Sequence, residues 1–414
     1  MLKQIEGSLG VAEAVALCRP GVVCAYPISP QTHIVENVGK FVKNGTLKDC
    51  DFLNVESEFS AISVAIGSSV GGARTYTATA SQGLLFMTEG VYSASGLGLP
   101  IVMTVASRAI GGPINIWNDH SDSLSQRDSG WLQLFCESNQ DAVDTHIMAF
   151  KIAEKVGLPV MVCMDGFVLT HAFERLDIPS QELVDKFLPE YEPNEYLTTK
   201  EPVSIGAMVG PEAFTEVRFL QQRKMAKALD VIEEVTKEFR ELTGSKSGGL
   251  LDCYNCENAD LKLIVMGSTV GTAKDEIDRL KAEGINVGII SLKSFRPFPY
   301  AQLAKAIGDT KNVICLERAF SFGARGIICP EVKRAMEGTS CDIKTVVAGL
   351  GGRPIYGTTI NGIVKSALAG KFTEEFNWFD IDAKVLNSYT EKTEGVTFPE
   401  GPLGQSVLEN SVKG

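Results

Sequence analysis

Five short runs rich in β-branched residues, separated by stretches with helical spacing, constrain the fold of this chain more than any other feature. The runs are VVCAYPIS (22–29), DFLNVES (51–57), RTYTATA (74–80), LPIVMTVASR (99–108) and LPVMVCMDG (158–166). Between them lie segments 32–44, 58–72, 83–97 and 141–156, with small and apolar residues at helical intervals. Such alternation predicts a parallel sheet covered by helices on both faces. The runs are almost continuously apolar, as strands buried on both sides should be.

The pattern changes after residue 175. Residues 176–212 carry five of the 17 prolines and have no clear period, so they read as a connecting excursion. Apolar positions Met225, Leu229, Ile232, Val235, Phe239 and Leu242 then recur at intervals of three and four. That spacing predicts a helix with one apolar stripe, closed at Thr243-Gly244. GSKSGG (244–249) reads as a flexible linker, and 244–257 is expected to join two domains. A second α/β unit is expected over 258–370, with strands in LKLIVMGST (261–269), INVGIISLKSF (285–295), KNVICLER (311–318) and DIKTVVAGL (342–350). Residues 371–414 contain Phe376, Trp378 and Phe379 with little periodicity, so they are expected to form an arm lying on another surface.

A chain of 414 residues suits two or three domains, and 44% apolar with 22% charged residues is the balance of a globular protein. A net charge of −12 argues against a nucleic-acid partner. No stretch of about 18 uncharged apolar residues predicts a membrane span. The opening MLKQIEGSLGVAEAV lacks the pattern of a secretory signal. Ten scattered cysteines, several inside apolar runs, suit a reducing cytoplasm. Only Cys253-Tyr-Asn-Cys256 has C-x-x-C spacing; a cluster or structural zinc needs a second pair, so any electron-transfer clusters are expected on another chain.

In open parallel sheets, ligands bind outside the carboxyl ends of the strands. That rule selects Ser29, Glu58, the turn Ser81-Gln82-Gly83, Arg108 and Asp165-Gly166. A carboxylate, a hydroxyl and a guanidinium would converge on one rim, and their convergence weighs more than any single residue. Taken singly, each has a plainer explanation. Glu58 opens a helical segment, where the macrodipole stabilises an acid by under about 1 kcal/mol. Arg108 ends an apolar strand, where a surface ion pair is worth little; its planar fork also matches a substrate carboxylate. Ser29 lies in YPISP (26–30), a turn stiffened by two prolines. His33, His120, His146 and His171 form no pair with metal-ligand spacing, so no metal is expected on this chain. NDHSD (118–122) reads either as a capping turn or as a mobile active-site loop, and Arg127 and Asp128 as solvated surface. Phosphate-binding glycine loops and a Gly-Asp-Gly metal-diphosphate motif are both absent from the sequence.

The same segments carry a resemblance. AYPISPQTHIVE (25–36), VESEFSAI (55–62), TATASQGLLFM (77–87), SRAIGGPINIWNDHSDSL (107–124) and MDGFVLTH (164–171) are similar, in order, to the alpha subunit of 2-oxoacid:ferredoxin oxidoreductases. KSFRPFP (293–299) and GGRPIYG (351–357), placed in the second domain, fit as well. The resemblance implies an α/β fold in which residues 1–243 are a thiamine-pyrimidine-binding domain with a C-terminal connecting helix. It implies that 258–370 is transketolase-C-like. Glu58 falls on the family's thiamine-activating glutamate, whose hydrogen bond to the aminopyrimidine favours the tautomer that deprotonates the thiazolium carbon. Arg108 matches the arginine that holds the substrate carboxylate. Ser29 stands where threonine is usual, keeping the hydroxyl and losing a methyl; His33 stands where proline is common. Pro27 and Gln82 would line the cofactor.

The implied activity is oxidative decarboxylation of a small 2-oxoacid, pyruvate first, to acyl-CoA and CO2 with electrons to ferredoxin, or the reverse. The implied cofactors are shared thiamine diphosphate, with Mg2+ and [4Fe-4S] clusters on partner chains and coenzyme A as co-substrate. The implied partners are beta, gamma and ferredoxin-like delta subunits, or fusions of them. Three alternatives stand beside this. The same chemistry could act on a branched-chain acid, 2-oxoglutarate or oxalate. The chain could be a non-catalytic scaffold, or a dinucleotide-dependent dehydrogenase, although the dehydrogenase glycine fingerprint is missing.

Overall fold

A computed structural model of the chain describes residues 2–404 and 406. It divides into two compact units. The first runs to Leu250 and also takes Lys293–Pro299; the second comprises Leu251–Leu292 and the chain from Tyr300 onward.

The first unit follows the alternation in the sequence. Its elements are β1 (Leu2–Glu6), α1 (Gly7–Leu17), β2 (Val22–Ala25), α2 (Thr32–Lys43), β3 (Asp51–Asn54), α3 (Glu58–Val70), β4 (Thr75–Thr79), α4 (Ser81–Phe86), α5 (Thr88–Gly96) and β5 (Val102–Ser107). They continue as α6 (Ser121–Ser125), β6 (Leu132–Phe135), α7 (Asn139–Val156), β7 (Val160–Asp165), β8 (Phe173–Asp177), α8 (Gln181–Phe187) and α9 (Phe214–Thr243). The main sheet has the order Ser294–Arg296, β6, β7, β5, β4, β2, β3, parallel throughout except for the antiparallel edge Ser294–Arg296. Every residue of β4, β5 and β7 is buried; β5 and β7 are nearly continuous in apolar residues, whereas β4 carries Thr75, Thr77 and Thr79. Local caps set the helix entries: the Ser57 hydroxyl accepts from the Ser60 amide, which fixes Glu58 in the first turn of α3.

Three strands of the first unit, β1, β6 and β8, carry no clear sequence signal. β6 is four residues long with a polar centre, and Gln133 is tolerated there because its side-chain amide donates to the Ser123 carbonyl at 2.6 Å. β1 pairs antiparallel with β8 as a separate ribbon, Glu6 opposite Phe173, and is half-exposed and partly charged. The helix expected from Met225 begins eleven residues earlier, at Phe214. Its first turns are exposed and have no apolar stripe to announce them.

Three boundary expectations are corrected. GSKSGG is pinned rather than flexible: the Ser245 and Ser247 hydroxyls each donate to Asp144 at 2.7 Å, and the Gly248 amide donates to Asp141 at 2.9 Å. The remainder of the expected linker forms the strand Leu251–Tyr254, paired with Val287–Leu292 in the second unit. KSFRPFP belongs to the first unit, where Ser294–Arg296 completes its sheet edge and the Lys293 ammonium faces Asp141 at 3.3 Å.

The second unit is a seven-stranded sheet in the order 403–404, 376–378, 342–347, 312–317, 261–265, 287–292, 251–254, antiparallel only at its two edges. The expected arm is therefore partly a sheet component: Phe376–Trp378 pairs in parallel with Thr345–Val347, and Phe372 and Phe376 are buried. Residues 405 and 407–414 of that arm lie outside the described residues. The buried Glu317 carboxylate accepts from the amides of Ile327, Ile328 and Cys329, satisfying the start of the helix Ile328–Ala335.

Candidate active site

β3, β2, β4, β5 and β7 are all parallel, so their carboxyl ends lie along one edge of the first sheet. The turn after β2 is fixed by fully buried Gln31, whose side-chain amide donates to the Ala78 carbonyl of β4 at 2.6 Å. Pro30 of that turn reaches the end of β7. A Cβ on Gly166 would stand 2.5 Å from Pro30 Cγ and 2.6 Å from the Ser107 carbonyl, so this approach requires glycine.

Arg108 follows β5 directly and is 6% exposed. Its Nη1 donates to the backbone carbonyl of Ser29 at 2.8 Å and its Nε to the Asn115 carbonyl at 3.1 Å. Nη2 has no hydrogen-bond partner among the described residues, which leaves one edge of the fork available to a ligand. Burial works against the guanidinium charge and the nearby Asp122 carboxylate supports it. Ser29 is exposed, and its hydroxyl has no partner among the described residues. The structure thus joins Arg108 to Ser29, through the serine backbone rather than its hydroxyl. Pro27 lies exposed on the same turn.

Glu58 begins α3 and is 8% exposed, yet its carboxylate has no hydrogen-bond or ion-pair partner among the described residues. Its carboxylate oxygens are not among the fully enclosed unpartnered atoms, so an enclosed residue turns its acid toward an opening that a ligand can reach. Its neighbours sharpen that reading. A Cβ on Gly83 would lie 2.5 Å from Thr79 Oγ1, 2.7 Å from Glu58 Oε1 and 2.9 Å from Glu58 Cγ. Thr79 Oγ1 is itself buried without a partner. Gln82, half-buried in the same first turn of α4, lies against Gly111 and hydrogen-bonds the Ser81 hydroxyl.

Asp122 ties the two halves of the rim together, and nothing in its sequence context singles it out. One carboxylate oxygen accepts from the Ser81 amide at 2.8 Å and the Arg108 amide at 2.9 Å; the other accepts from Ser123 at 2.6 Å. It is fully buried, and burial pushes its pKa up to about 6 against the pull of the three amide bonds. His120 is buried too, its Nε2 2.8 Å from Asp165. The segment 118–122 is therefore a capping turn, as one of its two sequence readings has it: it opens α6, with the Asp119 carboxylate accepting from the Ser121 amide at 2.9 Å, and it is buried as an interior strut rather than a loop open to solvent. The clustering of acid, histidine and serine signals the cap, and nothing in it signals the burial.

Large apolar side chains stand exposed beside these groups. Phe59, next to Glu58, and Phe86 of α4 are 38% and 56% exposed, with ring centroids 6.1 Å apart. Ile114, Ile116 and Trp117, in the loop beyond Arg108, are also exposed. Exposed apolar groups gathered at one site mark an interaction surface rather than ordinary scatter.

Comparisons with known proteins bear on this geometry. Residues 13–237 match the family described as "Pyruvate flavodoxin/ferredoxin oxidoreductase, thiamine diP-bdg", and 259–360 match "Pyruvate:ferredoxin oxidoreductase core domain II". The chain belongs to the 2-oxoacid:ferredoxin oxidoreductase family. Within that family it is similar to the pyruvate synthase subunit PorA of Methanosarcina barkeri, 43% identical over 92% of this chain and 97% of that protein. The PorA subunit of Methanocaldococcus jannaschii is 45% identical over 88% of this chain and 94% of its own length. A ketoisovalerate oxidoreductase subunit, VorA of Pyrococcus horikoshii, is 39% identical over 92% and 98%. Among solved structures, a 2-oxoglutarate:ferredoxin oxidoreductase from Magnetococcus marinus, with 2-oxoglutarate, coenzyme A and succinyl-CoA bound, superposes with a TM-score of 0.69. It is 22% identical over 89% of this chain, which spans 65% of that chain's length, so the likeness is one of fold. A split-gene transketolase superposes with a TM-score of 0.53 at 14% identity, in keeping with thiamine-enzyme and transketolase-C-like domains. The family places the chain as the alpha-type subunit of a thiamine-dependent oxidoreductase, which sets aside the dehydrogenase alternative.

Proposed function

We propose that this chain supplies the thiamine-activating and carboxylate-binding half of an active site completed by a partner subunit, and that its substrate is pyruvate. The observation that carries the proposal is Glu58: a residue enclosed by the fold whose carboxylate has no partner among the described residues, beside a buried, unpartnered Thr79 hydroxyl and a glycine that leaves its approach open. That donor set fits an aminopyrimidine ring, which offers nitrogens to both groups. Bound there, thiamine diphosphate supplies the nucleophilic carbon and the electron sink that decarboxylation of a 2-oxoacid needs. Glu58 would share a proton with the ring nitrogen through a hydrogen bond. Gln82 borders the same ring from the first turn of α4.

Arg108 presents its unpartnered Nη2 to the substrate carboxylate, while the Ser29 carbonyl and the Asn115 carbonyl hold the fork in one orientation. The exposed Ser29 hydroxyl is placed to hydrogen-bond the substrate, and Pro27 lines the cofactor side of the turn. No Lys or Arg occurs over 109–124, and the one basic side chain there, His120, is engaged by Asp165. A monoacid suits that pocket better than a diacid, which would require a second cation.

The diphosphate with its Mg2+, and the [4Fe-4S] clusters that carry electrons to ferredoxin, are assigned to beta, gamma and delta partners, with coenzyme A taking the acyl group. The exposed Phe59, Phe86 and Trp117 flank the rim where such a partner would close it. A second reading, a branched-chain 2-oxoacid, has the VorA likeness in its favour, at an identity close to that of several PorA subunits. The test is Glu58→Gln in the assembled complex. Turnover of viologen dye with 2-oxoacid and coenzyme A should fall by at least about a hundredfold, the scale of a lost proton-transfer group. Unchanged turnover overturns the catalytic reading in favour of a scaffold, and a panel of 2-oxoacids on the wild type separates pyruvate from branched-chain acids.

A further inference from the structure

Glu6, His33 and His171 lie far apart in sequence, and the fold brings them together. β1 and β8 pair so that Glu6 stands opposite Phe173, two residues beyond His171. The Gly7 amide donates to the Ala172 carbonyl at 3.0 Å and the Ser8 hydroxyl to the Thr170 carbonyl at 2.7 Å, which locks that register. α2 then delivers His33 from the other side: its Nδ1 is 2.7 Å from Glu6 Oε1, and its ring centroid is 4.7 Å from that of His171. One ligand atom from each of the three residues lies within 4.8 Å of the others. Glu6 and His171 are half-buried and His33 is exposed, so the group is open to solvent yet held by three elements.

We infer that Glu6, His33 and His171 form a binding site for a divalent first-row transition cation, with Zn2+ as the natural occupant. Two imidazoles and a carboxylate are the donor set such ions prefer, and three protein ligands leave a fourth position for water. The outer contacts are in place as well. Thr170 Oγ1 accepts from the Phe167 amide at 2.8 Å and lies 2.7 Å from His171 Nδ1. With Nδ1–H donating to that hydroxyl, His171 Nε2 carries the lone pair for the ion, the arrangement that orients most metal-binding histidines. The Phe167 ring, centroid 4.9 Å away, packs against His171 and restrains its tilt. At His33 the ion replaces the proton now shared with Glu6: that N···O separation opens from 2.7 Å to about 3.3 Å for tetrahedral bonds of about 2.0 Å. This is a small side-chain movement at a half-exposed residue. The ion clips the end of β1 and the start of α2 to the turn after β7. None of the three residues is assigned a part in the proposed activity, so the inference does not depend on it.

The experiment uses the purified complex, stripped with chelator and titrated with Zn2+ and, separately, with Co2+. Wild-type complex should take up one more equivalent per copy of this chain than complexes carrying His33→Ala or His171→Asn. Its Co2+ form should show the intense visible absorption of a low-coordinate nitrogen–oxygen site, absent from both variants. Elution of each variant as the intact complex, with wild-type dye-linked turnover, establishes that the loss is local. Equal uptake by wild type and variants, or a Co2+ spectrum indistinguishable from the aqueous ion, overturns the inference and leaves only a hydrogen-bonded cluster.

Discussion

Gly83→Ala tests the active-site geometry with a single added methyl. The new Cβ would lie 2.5 Å from Thr79 Oγ1, 2.7 Å from Glu58 Oε1 and 2.9 Å from Glu58 Cγ. Ordinary contact begins near about 3.4 Å, so the Glu58 side chain must retreat by about 0.5–0.7 Å even if Thr79 rotates away. Thr79 has little room, because β4 is buried along its whole length. Overpacking of this kind costs about 1–3 kcal/mol of stability. The functional cost should be larger. A displacement approaching about 1 Å in a catalytic group lowers turnover on the order of a hundredfold. The assay is 2-oxoacid-dependent dye reduction by the assembled complex, alongside its thermal midpoint. Gly83→Ala should approach the Glu58→Gln loss in turnover while the complex stays assembled. Full turnover in a complex whose midpoint has dropped would refute the reasoning, since it would mean the methyl was absorbed elsewhere and the position of Glu58 does not govern the reaction.

Arg108→Leu should raise KM for any accepted 2-oxoacid by about thirtyfold or more, the loss of a charge-assisted pair worth at least about 2 kcal/mol; unaltered KM removes Arg108 from substrate binding. Asp122→Asn keeps the shape, but whichever way the amide turns, its NH2 faces at least one of the amides of Ser81, Arg108 or Ser123. It should destabilise the complex by about 1–3 kcal/mol, read as a fall in thermal midpoint, and an unchanged midpoint would count against the strut. His146, fully buried between Thr104 Oγ1 and the Ala142 carbonyl at 2.6 Å each, is held neutral by burial, with its pKa pushed down from 6.5 to about 4. The unfolded chain takes up that proton as pH falls through 6.5 whereas the folded chain does not, so stability present above 6.5 is lost on the way to about 4. The loss reaches about 3 kcal/mol. Buried Asp122 and Asp144, both raised to about 6, act with the opposite sign, losing stability as pH rises toward that value. Comparing wild type with His146→Gln isolates the histidine, because Asp122 and Asp144 act alike in both: the midpoint of the wild type minus that of the variant should fall as pH drops from 6.5 to about 4, and a constant difference would exclude the assignment.

The legible part of this fold was carried by strands whose faces are both covered. β2, β5 and β7 announce themselves because burial leaves little polar alternation, and β4 because threonine and Tyr76 favour strands. β1 and β6 were not legible, being polar or charged in part and stabilised by pairing partners distant in sequence rather than by their own composition. GSKSGG misled for a related reason: serine and glycine are the residues of a flexible linker, and also those that let a backbone lie against the buried carboxylates of Asp141 and Asp144. Glu58, Arg108 and Ser29 could be placed because strand ends are positions fixed by topology. Asp122 could not, since what distinguishes it is convergence of three amides from separate elements, a property of the folded chain alone.

The return of Lys293–Pro299 to the first unit has a consequence for how this polypeptide is made. A nascent chain that has emerged only as far as Leu250 has β6 bare along its outer edge and Asp141 without its ammonium counter-charge. Synthesis must run some forty residues further, through three strands of the neighbouring sheet, before that margin is sealed. The two sheets are thus interleaved in order of synthesis, and a gene cut at the apparent domain boundary would yield a fragment with an open, aggregation-prone flank.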